Sequence, residues 1–202
     1  MKLLVIGATG RTGMHVLEQA AARGHEVTAF TRKPELLDGR DDLLVVVRGD
    51  ATDPSSVREA VAGQDAVIAA VGGSGIARAL IATMREAGVR RVVMTSSRSV
   101  PATRPRFAVG MAWLIFRKAY VDLARAEGML EISGLDWTVV RATRLVDRPG
   151  KGRVHIDFEA DATGGEATLP RADYAMALLD AAEDDAMIGE MPGVCGARAG
   201  RA

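Results

Sequence analysis

The chain has 202 residues, with 26 Lys and Arg balanced by 26 Asp and Glu; 48% of residues are hydrophobic and 26% are charged. That length fits one domain with ample material for a core, and the charge balance provides no net field for nucleic acid or an anionic membrane, leaving room only for a local patch. A single cysteine, Cys195, excludes an internal disulfide and a multi-thiolate metal site, and His15, His25 and His155 are too scattered to form a metal cluster.

Leu3 to Ile6 is an apolar run too short for a signal-peptide core, and it passes straight into glycines. It reads as a central parallel strand buried on both faces, and the chain as a cytoplasmic protein. Thr12 to Arg23 is a helix closed by Gly24, and strands follow at Glu26 to Thr31 and Leu43 to Val47. Asp53-Pro54, an acidic cap followed by proline, starts the next helix and Gly63 ends it. Then come a strand at Ala66 to Val71, a helix at Ile76 to Ala87, a strand at Val89 to Met94, a long helix at Phe107 to Ile132 and a strand at Trp137 to Arg141. The longest apolar run, Phe107 to Phe116, is about half the ~20 residues of a membrane span. Six strands with five crossovers predict an α/β fold, a doubly wound parallel sheet of Rossmann type in a single domain.

Beyond Pro149 the pattern loosens into a strand at Val154 to Phe158, a helix at Arg171 to Ala182 and a frayed end from Gly193 onward, with residues 196–202 as a tail. The loops after strands four to six, with residues 142–170, are expected to form the substrate side.

Gly7-Ala8-Thr9-Gly10-Arg11-Thr12-Gly13 has the form G-x-x-G-x-x-G between a strand and a helix. Glycine permits the tight turn and close backbone approach, while the helix N-terminus offers N–H groups and a positive dipole end to a pyrophosphate. NAD-specific sites place a carboxylate at the end of the second strand for the ribose 2′-OH. Here that strand ends Phe30-Thr31-Arg32-Lys33, two cations suited to a 2′-phosphate, and Arg11 adds a third, so the expected cofactor is NADP(H). Gly49-Asp50-Ala51 follows the third strand, where Asp50 is placed to accept from an adenine amino group. A second glycine loop, Val71-Gly72-Gly73-Ser74-Gly75, follows the fourth strand.

Together these residues resemble the atypical short-chain dehydrogenase/reductases, the NAD(P)H-binding group that includes biliverdin reductase B (flavin reductase) and NmrA-like proteins. Further markers are Ala62-Gly63-Gln64-Asp65-Ala66-Val67-Ile68, Thr95-Ser96-Ser97, the run Ser133 to Arg141 and Arg171-Ala172-Asp173. The resemblance implies that Gly7, Thr9, Gly10 and Thr12 hold the pyrophosphate and Arg32 the 2′-phosphate. By the same resemblance Val71, Gly72, Ser96, Ala142, Thr143 and Arg144 lie on the nicotinamide side. The link from strand four to its helix is shorter than in flavin-reductase relatives and the stretch from Thr95 to Glu127 is longer, so their substrates do not carry over.

Short-chain reductases pair a serine with Tyr-x-x-x-Lys, the tyrosine giving the proton as hydride arrives. Tyr120 stands 23 residues after Ser97, but position 124 is Ala. Ser96 and Tyr120 are the catalytic candidates, with a strand-end cap and a packing role as their respective alternatives. Phe107, Met111, Leu114 and Lys118 share one face of the long helix, and Trp113, Phe116 and Tyr120 another. Core packing is the expectation for both, with a planar-substrate pocket or an oligomer interface through 107–132 as alternatives. The function expected is an NADPH-dependent reductase passing hydride to a small planar or cyclic acceptor, with no metal, nucleic acid or membrane partner. The alternative is a non-catalytic NADP(H)-binding redox sensor acting through a protein partner.

Overall fold

The computed structural model describes residues 1–104 and 106–198. Strand β1 (Lys2–Ile6) sits mid-sheet and alternates as a pleated strand must, Leu3 and Val5 entering one core and Leu4 and Ile6 the other. Helix α1 (Arg11–Ala22) leads to β2 (Glu26–Thr31) and β3 (Val45–Arg48), and α2 (Pro54–Val61) leads to β4 (Ala66–Ala69). Asp53 caps α2, its carboxylate accepting from the Ser55 N–H at 3.0 Å. Helix α3 (Ser74–Ala87), β5 (Arg91–Ser97), α4 (Arg106–Glu131) and β6 (Asp136–Ala142) complete the expected alternation.

The remaining elements are β7 (Arg144–Val146), β8 (Val154–Asp157), β9 (Thr168–Pro170), α5 (Arg171–Glu183) and β10 (Gly193–Gly196). The main sheet has eight strands in the order β3-β2-β1-β4-β5-β6-β10-β8, all pairs parallel except β10 with β8, while β7 and β9 form a small parallel ribbon. Helices α1 and α5 cover one face through a core including Val16, Leu17 and Leu178. Helices α2, α3 and α4 cover the other through Val57, Leu80, Met84 and Leu130. The chain is thus a single α/β domain of Rossmann type, and the strand order reverses between β1 and β4, where such folds open a crevice.

Two expectations are corrected. Gly193 to Gly196 is not frayed: it is a fully buried strand inserted between β6 and β8, and residues 199–202 of the expected tail lie outside the described residues. The long helix does not bury both apolar faces. It breaks at Phe116 (φ −109°, ψ 17°), and Phe107, Met111 and Leu114 point into solvent.

The inserted strand depends on a buried ion pair. Arg98, just past β5, meets Asp157 of β8 at 2.7 Å with both side chains under a tenth exposed. A Cβ on Gly193 would overlap the Arg98 guanidinium, so a side chain there would push the guanidinium from its place beside Asp157. Burial pushes the Asp157 carboxyl up, yet the hydrogen bond and charge of Arg98 outweigh it and hold the group below the usual carboxylate range. We expect Arg98→Ala to cost about 3–5 kcal/mol in urea unfolding at neutral pH, because an unpaired carboxylate is left buried. Since the folded pKa is depressed, this stabilisation is present above the unfolded value of ~3.9 and fades as pH falls through the folded one. The difference between variant and parent should therefore narrow in acid; a neutral-pH cost below ~1 kcal/mol, the scale of an exposed pair, would show that the pair does not hold the sheet edge.

Candidate functional site

At the carboxyl ends of β1, β2 and β4 lies a cleft of about 570 Å³. Its walls contain Gly7, Thr9, Gly10, Arg11, Thr12, Arg32, Asp50, Ala51 and Val71, nine of the residues expected at the cofactor, together with Phe30, Lys33 and Arg171. Gly72 lines a neighbouring hollow, while Ala142, Thr143 and Arg144 line neither space. Ala142 and Thr143 are instead taken up in pairing: the Ala142 carbonyl accepts from the Arg98 N–H and the Thr143 N–H donates to Val194.

The glycine turn is shaped by close approach. Gly7 has φ +77°, a conformation that favours glycine, and a Cβ there would press on Val71 Cγ1 at 2.8 Å. A Cβ on Gly13 would collide with the Gly7 carbonyl oxygen and stand 2.8 Å from that of Ala8, whereas on Gly10 it would meet only the Gly7 oxygen at 3.1 Å. Gly10 caps α1 with no side-chain hydrogen bond, and the first turn carries no acid. The N–H groups of that turn are therefore free of any local anion, as a phosphate-binding helix end requires. The chain's residues fit a dinucleotide here.

Thr9 Oγ1 hydrogen-bonds Thr31 Oγ1 at 2.6 Å, and Thr31 Oγ1 accepts the Lys33 N–H at 3.1 Å, which pins the turn to the end of β2. Arg32 and Lys33 follow with exposed side chains. Glu35, the nearest acid in sequence, is engaged by Arg48 at 3.1 Å. Asp50 closes an Asx turn, accepting from the N–H and hydroxyl of Thr52 at 2.9 and 2.8 Å. Those bonds, aided by the charge of Arg32, hold its carboxyl below the ordinary range. Arg11, expected to add a third charge, pairs with Asp147 at 2.9 Å, and Asp147 also takes Arg171 at 2.6 Å.

A smaller hollow of about 280 Å³ is lined by Gly72, Thr95, Ser96, Ser97, Ala119, Asp122 and Leu123. Val71 and Gly72 are consecutive, so the two spaces meet at the end of β4. The Ser96 hydroxyl donates to Glu127 Oε1 at 2.6 Å, and the buried Glu127 also accepts from Arg141 at 2.7 and 3.1 Å. Asp122 receives the Ser74 N–H at 3.2 Å and the Ser74 hydroxyl, capping α3 from a different helix. Tyr120 does not line the hollow; its ring packs edge-on to Trp113 at 5.4 Å and tilted to Phe116 at 5.9 Å.

Asp122 and Glu127 were not singled out by sequence, since an acid on a helix carries no local signal of its partner, and Arg171 was quoted only as a family marker. Asp173, quoted only as a family marker, accepts the N–H groups of Lys151 and Gly152 at 2.8 and 2.9 Å and so fixes the 150–152 loop to α5.

The profile of a family described as NAD(P)H-binding matches residues 7–185. The chain belongs to that NAD(P)H-binding family. The resemblance drawn from the motifs is thus borne out, and a nicotinamide dinucleotide is the cofactor type of the family. The chain is 27% identical to an uncharacterized protein, YwnB, of Bacillus subtilis over 91% of its own length and 92% of the other's. Two longer curated relatives, 30% and 31% identical, are spanned over only 57% and 64% of their lengths. Among solved structures, the anaerobilin reductase ChuY of Escherichia coli O157:H7 superposes with a TM-score of 0.86 at 25% identity, covering all of both chains. A short-chain dehydrogenase/reductase of Veillonella parvula, solved in complex with NADP, gives 0.84 at 20% identity over 96% of this chain and 94% of that one.

The contrast between Gly13 and Gly10 is measurable. Gly13→Ala should lower unfolding stability by about 1–3 kcal/mol or more, because backbone must move, while Gly10→Ala should cost well under ~1 kcal/mol. Equal melting curves for the two variants would contradict the backbone contact.

Proposed function

We propose that the protein is an NADPH-dependent reductase that passes hydride to a small planar or cyclic acceptor such as a quinone, flavin or enone. The observation that carries the reading is the end of β2. Arg32 and Lys33 face the cleft where an NAD-specific site would place an acid, and the one acid close in sequence is engaged by Arg48. The uncapped N-terminus of α1 would receive the pyrophosphate, with Gly7, Thr9, Gly10 and Thr12 around it. Arg32 would hold the 2′-phosphate, and Asp50 and Ala51 would flank the adenine. Arg11 would either keep its pairing with Asp147 or turn to the phosphate. That the Veillonella structure contains NADP and that ChuY is called an anaerobilin reductase both support the reading.

NADPH, when bound, supplies the hydride. Val71 and Gly72 would place the nicotinamide at the junction of cleft and hollow, and residues after strands four to six would wall the acceptor. Ser96, held by Glu127, would orient an acceptor oxygen. Tyr120 remains the second candidate, but no route from its phenol to the hollow supports it. For quinones and flavins the proton comes from water. The sensor reading is favoured by Ala124, where the Tyr-x-x-x-Lys pattern needs lysine. NADPH binding with no turnover across quinones, flavins and enones would decide for the sensor.

Arg32→Ala should weaken NADPH by ~10- to 100-fold, through loss of a charge-assisted contact of about 1.5–3 kcal/mol, and leave NADH nearly unchanged. Fluorescence titration checks this, and equal affinity of the parent protein for both cofactors would sink the NADP assignment. For turnover, Ser96→Ala should reduce the rate by roughly 2- to 13-fold, the cost of one neutral hydrogen bond of about 0.5–1.5 kcal/mol. Tyr120→Phe should change it less. A larger defect in Tyr120→Phe, read from steady-state kinetics, would reverse the two roles.

A further inference from the structure

The first half of α4 leaves an apolar stripe in solvent. Phe107, Met111, Leu114 and Ile115 recur at helical spacing, with Phe107, Leu114 and Ile115 81%, 79% and 65% exposed. A helix on a protein core turns such a stripe inward. Here another side does the packing: Trp113 stacks edge-on to Tyr120, and its indole N–H donates to the Ser99 carbonyl at 2.8 Å. Phe116, at the break, is half exposed on that packing side, against Tyr120.

The charges carried by this half of α4 have one sign. Arg106, Arg117 and Lys118 are exposed, and no acidic residue occurs from Arg106 to Val121. Asp161 and Asp122 lie outside that stretch, on the loop that meets Thr103 and Arg104 and on the packed second half of α4 beside Ser74.

We propose that this face of α4 docks the protein on an anionic lipid surface. Phe107, Met111, Leu114 and Ile115 enter the acyl boundary, Arg106 and Arg117 meet the headgroups from the flank, and Lys118, on the same face, reaches them along its long stem. An apolar face with aromatic and leucine side chains, bordered by cations, is the pattern of an interfacial helix. Among the described residues no helix is long and apolar enough to cross a membrane, so the contact is peripheral. The neutrality of the whole chain does not oppose it, because charges beyond ~8 Å are screened at physiological salt. A second copy of the chain fits the patch less well, since two such helix faces bring cations onto cations.

Flotation of the full chain with phosphatidylcholine vesicles, with and without phosphatidylglycerol, tests the proposal. Binding is expected only with the anionic lipid and should weaken as salt rises. Leu114→Gln combined with Ile115→Gln should reduce binding at least ~10-fold by removing apolar insertion. Arg106→Gln combined with Lys118→Gln should reduce it about 25-fold, roughly 5-fold per cation. Both double variants should keep the parent circular dichroism and melting point, as these side chains are exposed. Absence of binding, or equal binding to neutral vesicles, overturns the proposal. A stable dimer by light scattering, converted to monomer by the Leu114 and Ile115 changes, also overturns it and assigns the face to a second copy.

Discussion

The carbonyl oxygen of Gly7 occupies the space that a Cβ at position 13 would need, so β1 and α1 meet backbone to backbone. That contact sets the height of the α1 N-terminus above the sheet and keeps its first-turn N–H groups at the crevice rather than under a side chain. Thr9 and Thr31 then bind the turn to the end of β2, which fixes where Arg32 emerges. The cleft is in this sense one rigid piece. Displacing α1 by the width of a methyl group would shift both the anion-facing helix end and the cationic strand end together.

On the other side of β4, polar groups are committed to one another before any ligand arrives. Ser96, Glu127 and Arg141 form a chain across β5, α4 and β6 in which every member has a partner, and burial makes each partner costly to lose. Tyr174 shows the same habit. Its hydroxyl donates to Val140 at 2.8 Å and meets Thr95, and complete burial pushes its pKa far above the ordinary tyrosine value. A fixed lattice of this kind gives a hollow with steady walls, suited to holding a rigid molecule in one orientation.

What could be read in the sequence is what local chemistry dictates. Short runs rich in Val, Ile and Leu mark β1 to β6, glycine directly closing β1 and β3, and the nine expected residues that share the cleft do so because each sits within a few residues of a strand end. The errors have physical causes. Gly193-Val194-Cys195-Gly196 has only two apolar side chains, and its first glycine makes room for the guanidinium of Arg98, distant in sequence, a relation no local pattern contains. Val45 and Val46 look like core yet lie on the edge strand, 47% and 36% exposed. The apolar period of α4 was legible, but periodicity reports that a face exists and not what covers it. Glu127 and Asp122 differ from solvated helix acids only through Arg141 and Ser74, which the fold brings to them.

The place of β10 also governs how the chain is made. Among the described residues strand β8 has no neighbour in the sheet other than β10, which sits between it and β6. Residues 154–157 must therefore wait, with their backbone groups unpaired, until residues 193–196 have left the ribosome. Until then β6 is an open edge, and Arg98 and Asp157 are charges without a lid. The nascent protein thus carries an unfinished β-surface from the emergence of β6 to that of β10, a stage at which such edges recruit other chains. The closing strand seals the sheet only when synthesis has passed it.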